Sequence, residues 1–84
     1  MALHVVTPVL ESGPLSRAAG VPVWAKLESL QPTGSFKIRG IGRACEEAQA
    51  AGAGRLVSSS GGNAGLAVAF AGRSLGLPVS VFVP

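Results

Sequence analysis

An 84-residue chain buries only about 60–65% of the surface it exposes when unfolded, and one cysteine with one histidine supplies neither the disulfides nor the zinc ligands that staple many small domains. A composition that is 48% hydrophobic and 13% charged, with 12 glycines, suits a globular α/β core and not a disordered or fibrous chain. The net charge of +3 comes from seven scattered basic residues, with no run and no interleaved aromatic platform, which argues against nucleic-acid binding.

No stretch reaches the ~18 apolar residues of a membrane span, and no basic region followed by an apolar core opens the chain. The expectation is a cytoplasmic protein without a membrane or nucleic-acid partner, and without a metal.

In chain order, His4 to Leu10 reads as extended, and Gly13 to Gly20 as a short helix with proline near its start and glycine at its end. Val21 to Leu27 reads as a strand, with Pro22 at its start or edge and Trp24 as a core residue. Gln31-Pro32-Thr33-Gly34 is turn chemistry. From Ser35 to about Ala51 the positions Ile38, Ile41, Cys45 and Ala48 recur at helical spacing, with Ser35 as N-cap, so Lys37 falls in the first turn. Arg43 and Glu47 form a solvated pair on that helix, and Cys45 is a buried small hydrophobe.

Gly52 and Gly54 end the helix, and a short strand from Arg55 to Ser59 runs into Ser60-Gly61-Gly62-Asn63. A second helix from Asn63 to Leu75 carries many small residues, which permits close packing. Val79 to Val83 is an apolar strand of the kind found in parallel sheets covered on both faces. A strand–helix–strand unit ending at Pro84 has no layer to cover its second face, so the chain reads as an N-terminal piece of a larger protein.

Two glycine-rich elements each open a helix, where unpaired N–H groups and a partial positive charge attract anions. Neither spells the phosphate loop of nucleotide hydrolases or G-x-G-x-x-G. Their order is informative: GSFKIRG at residues 34–40, then SSSGGNAG at residues 58–65, flanked by TPVLES at 7–12 and LQPTG at 30–34. This pair resembles the fold-type II pyridoxal-phosphate enzymes, and its doubled glycine before Asn63-Ala64-Gly65 is most similar to the serine/threonine dehydratase branch.

The resemblance implies the N-terminal part of a tryptophan synthase beta-like α/β fold, a parallel sheet with covering helices, incomplete here. Residues 1–34 would belong to the large domain and 35–84 would start the small one. It implies pyridoxal 5'-phosphate as cofactor, with Lys37 holding it as a Schiff base and later taking the substrate α-proton. A lysine suits both tasks because its amine can lose a proton when desolvated, whereas a guanidinium cannot. Phe36 would wall a face of the cofactor ring, and Asn63 would bond its ring hydroxyl oxygen. Ser60, Gly61, Gly62, Asn63 and Ala64 would hold the substrate carboxylate.

The implied reaction is elimination of water from L-serine or L-threonine, ending in a keto acid and ammonia, in a protein that is a homodimer at full length. Threonine deaminase, serine racemase and a non-catalytic anion-binding module stay open. Family members carry a downstream glycine-rich loop for the cofactor phosphate, which these residues lack. The 84 residues alone are therefore expected to be inactive and to bind the cofactor poorly.

Overall fold

The computed structural model describes residues 2–84. Local signals set its first elements. Ser12 accepts the N–H of Leu15 at 3.2 Å and Pro14 needs no donor, so a helix α1 (Gly13–Ala19) starts there. It is inserted between strands β1 (Val9–Glu11) and β2 (Trp24–Lys26), which pair antiparallel with Leu10 opposite Ala25. The Ser16 hydroxyl accepts the N–H of Val23 at 2.8 Å and ties α1 to the strand that follows it.

A 3₁₀ turn at Glu28–Leu30 leads to the Gln31–Gly34 turn, closed by Gly34 N–H on the Gln31 carbonyl at 2.8 Å. Gly34 sits at φ +79°, a conformation that side chains with a Cβ rarely adopt, which explains glycine at this point of the motif. The long helix α2 (Lys37–Ala50) follows, then β3 (Leu56–Ser58), α3 (Asn63–Leu75) and β4 (Val79–Val81). Strands β3 and β4 pair in parallel, Leu56 with Val79 and Ser58 with Val81, so the chain must cross over between them, and α3 is the crossover.

Cys45 of α2, Leu56 of β3 and Ala71 of α3 form one buried cluster, with Ile41, Ala48, Val68, Leu75, Leu77 and Val79 around it. Helices α2 and α3 therefore cover the same face of the parallel pair. Small residues allow that: a Cβ on Gly72 would collide with Val79 and stand 3.0 Å from the Leu77 carbonyl.

The opposite face is open, as expected of a strand–helix–strand unit without a second layer: Val57, alternating with buried Leu56 and Ser58, is 62% exposed, so the sheet is covered on one face within this chain. One expectation changes. Trp24 is 61% exposed and not a core residue, because it opens β2, which pairs only with β1 in a two-stranded sheet. The dimensions agree: extents of 50 × 32 × 15 Å give a radius of gyration of 15.9 Å. A compact chain of this length would have about 12 Å.

Two glycines separate packing from propensity. Gly72→Ala is expected to destabilise the chain by about 1–3 kcal/mol through overpacking. Gly40→Ala in α2, whose Cβ would meet nothing within 4 Å, should stabilise it by about 0.5–1 kcal/mol. Urea midpoints that move in opposite directions check both.

Candidate functional site at two helix N-termini

The first turn of α2 is fixed by a half-buried polar network. Arg39 donates from Nε to Oε1 of Glu28 and from Nη2 to Oε2 at 3.2 Å, a forked ion pair. Thr7 donates its hydroxyl to Glu28 Oε2 at 2.5 Å, and Gln31 donates its amide there at 3.1 Å. Gln31 also accepts the Val5 N–H at 2.9 Å and donates to the Val5 carbonyl at 2.8 Å, so its side chain pairs like a rung of a ladder. Thr7 and Gln31 are both buried.

The Arg39 guanidinium first, then the Thr7 hydroxyl and the Gln31 amide, hold the Glu28 carboxyl down at about 2 against an ordinary 4.5, and Glu28 in turn raises Arg39. Sequence reading gave Arg39 no chemistry and Gln31 only a turn. Their pairing spans segments that no periodicity connects.

Lys37 is the first residue of α2 and is exposed; Phe36 just before it is 61% exposed. The expected Ser35 cap is replaced by a later start: Phe36 is the residue flanking the helix, without a side-chain cap bond. Ser35 Oγ accepts the Lys37 N–H at a long 3.4 Å. The two lysines of the chain differ sharply. Lys26 donates Nζ to the Thr7 carbonyl at 3.0 Å. The Lys37 amine makes no hydrogen bond or ion pair among the described residues.

The second element is the turn between β3 and α3. Ser60, Gly61, Gly62 and Asn63 are exposed and Ala64 is half-buried, with Asn63 the first residue of α3. No side chain caps this helix, and its first internal donor is Leu66, whose N–H meets the Gly62 carbonyl at 3.0 Å. The N–H groups of Asn63 and Ala64 thus have no partner within the helix. Gly65 matters by closeness: a Cβ there would collide with the Ser60 carbonyl, which folds back over the first turn. Ser58 and Gly65 were not singled out from sequence, since neither a strand serine nor a helix glycine signals a turn held this way.

Three contacts bring the two elements to one end. Cys45 packs with Ala71, and Gln49 donates its amide to the Leu75 carbonyl at 2.7 Å. Cys45 and Ala71 each stand eight residues beyond the first residue of their helix, and Gln49 and Leu75 each stand twelve beyond. Helices α2 and α3 consequently run parallel and level. Pro32 and Thr33, from the turn leading to α2, line a cleft of about 340 Å³ with Leu66, Ala69, Phe70 and Arg73 of α3. No acidic residue stands in the first turn of either helix, so two positive helix ends lie side by side, with Lys37 in the first turn of α2. No hydrogen bond joins Lys37 or Phe36 directly to Ser60–Ala64 among the described residues.

The family model "Pyridoxal-phosphate dependent enzyme" matches residues 2–84. The chain belongs to that family. This pyridoxal-phosphate family member is similar to the human serine dehydratase-like protein, 58% identical over 81 residues that make up 96% of this chain and 25% of that protein. It is also similar to the human L-serine dehydratase/L-threonine deaminase, 51% identical over 82 residues, 98% of this chain and 25% of that protein. Among solved structures, a fungal L-serine ammonia-lyase from Rhizomucor miehei superposes with a TM-score of 0.83 at 37% identity, over 96% of this chain and 26% of that one. The chain spans about a quarter of the length of these relatives. The α/β fold with a parallel sheet and covering helices is the family's, in part.

The residues present fit the family's cofactor. An accessible primary amine at Lys37 can bond an aldehyde, and the uncapped donors of α3 can face an anion. Among the described residues there is no cluster of His, Cys, Asp and Glu able to hold a metal, and no helix is long and apolar enough to cross a membrane.

The Glu28 network carries a pH dependence with a definite sign. Its carboxyl titrates near 4.5 when free and near 2 when folded, so its contribution is complete above 4.5 and is lost as pH falls toward 2. Denaturation midpoints measured across that window should fall with pH, and Glu28→Gln should flatten the slope.

Proposed function

We propose that this chain supplies the cofactor lysine and the substrate-carboxylate turn of a lyase that converts L-serine to pyruvate and ammonia, and L-threonine to 2-oxobutanoate and ammonia. The observation that carries the reading is the pairing of an exposed Lys37 at the start of α2, without a partner among the described residues, with an uncapped α3 start at the same end of two level helices. The names of the two human relatives and of the fungal structure support the substrate class.

In this reading the Lys37 amine holds the cofactor and then, once displaced, removes the proton from the substrate α-carbon. Pyridoxal phosphate supplies an aldehyde for amines and a ring that accepts the electron pair left on that carbon. Phe36, exposed beside Lys37, gives the ring an apolar wall and keeps water from it. Asn63 directs its amide to the ring hydroxyl oxygen. The Ser60 hydroxyl and the N–H groups of Asn63 and Ala64 take the carboxylate, with Gly61 and Gly62 leaving the backbone unobstructed. The substrate loses its α-proton and then its β-hydroxyl as water, and rehydration of the resulting imine releases ammonia and the keto acid.

Residues 1–34 are assigned to the larger domain and 35–84 to the start of the smaller one, supported by the separation of the β1–β2 and β3–β4 sheets.

The test is made on the full-length protein. With pyridoxal phosphate and L-serine it should yield pyruvate, and Lys37→Ala should abolish both the visible absorbance of the lysine-bound cofactor and turnover. Retention of that absorbance in Lys37→Ala would refute the assignment. A racemised product in place of a keto acid would move the protein to the racemase reading.

A further inference from the structure

The Ser58 hydroxyl has no part in the reaction as described, yet Ser58 is among the few buried polar residues of the chain, 8% exposed at the end of β3. Its Oγ donates to the Ser60 carbonyl and accepts the Ser60 N–H, each at 3.2 Å. One side chain thus engages both backbone polar groups of Ser60. The Ser60 hydroxyl, one residue further out from the strand end, accepts the Gly62 N–H at 3.4 Å.

Two walls close on the same turn. The Ser60 carbonyl occupies the space a Cβ on Gly65 would need, and Val83 Cγ1 lies 2.5 Å from where a Cβ on Gly61 would be. Helix α3 and the segment after β4 therefore limit where the turn can go, while the Ser58 hydroxyl sets how the Ser60 peptide groups are rotated. With both backbone groups of Ser60 taken, its hydroxyl and the N–H groups of Asn63 and Ala64 are among the donors left for a carboxylate.

We propose that Ser58 is a positioning residue for substrate binding: its hydroxyl fixes the Ser60 backbone so that the Ser60 side chain and the first N–H groups of α3 converge on one carboxylate. This rests on the carboxylate assignment of Ser60 made above. Ser58 does not touch the substrate or the cofactor. It acts on binding, which leaves the cofactor lysine on α2 untouched.

The experiment compares Ser58→Ala, Ser58→Thr and Ser60→Ala in the full-length holoenzyme, reading KM and kcat for L-serine, the absorbance of the bound cofactor, and the thermal midpoint. Ser58→Ala should raise KM about tenfold, as loss of hydrogen bonds that act only through substrate binding would, and leave kcat within about twofold. Cofactor absorbance should stay at the parent value, and the thermal midpoint should fall by only a few degrees, as loss of one buried hydroxyl would cause. Ser58→Thr keeps the hydroxyl and should restore KM. An unchanged KM in Ser58→Ala overturns the proposal, as does a fall in midpoint and cofactor content together that threonine does not repair. If the alanine variant does not fold, Ser58→Cys, with its weaker donor and acceptor, gives the same split or overturns it. A parent-like KM in Ser60→Ala removes the carboxylate assignment instead, and this inference with it.

Discussion

The Glu28 carboxylate is the contact on which the placement of the site depends. It joins the extended segment at Val5–Thr7, the 3₁₀ turn and the first turn of α2, which are distant in sequence and share no sheet. Arg39 reaches it with two nitrogens at once, a geometry that fixes direction as well as distance and that a lysine could not reproduce. Because Arg39 stands two residues after Lys37 in the same helical turn, rotating that turn would break the fork. The backbone position of Lys37 is thus held by an ion pair in which it takes no part.

The other half of the site is positioned by the absence of side chains. Gly65 and Gly72 let α3 lie against the Ser60 carbonyl and against Val79, and Ala67 and Ala71 are fully buried between them along the helix. A helix that approaches its sheet so closely brings its first residues directly over the end of β3, where Ser58 can hold the turn. Packing and chemistry here share residues. Cys45, buried in the same cluster with its thiol pushed up by that burial, serves the packing and stays uncharged.

Local spacing made much of this legible. The bounds of α3, the place of Lys37 in a first turn, the burial of Cys45 and the Arg43–Glu47 pair all follow from neighbours within four residues or from capping chemistry. The order of two glycine-rich motifs carried the family. What stayed hidden was tertiary: Glu28 and Arg39 are eleven residues apart, and Gln31 pairs with Val5 across twenty-six. Trp24 misleads for a different reason. An apolar side chain states what it needs covered, and the covering layer is not in these residues.

Charge placement completes the case for the amine. A carboxylate beside an amine would take it as an ion-pair partner. The chain has four acidic residues, and they are kept from Lys37. Glu28 is held by Arg39, Glu47 is paired with Arg43 at 2.8 Å, Glu46 lies well along α2, and Glu11 is on the hairpin. The chain's other lysine is already bonded to a backbone carbonyl. Among the described residues the Lys37 amine therefore has no carboxylate partner, and two helix ends add positive potential at its end of the helix pair. Positive potential of that kind attracts anions.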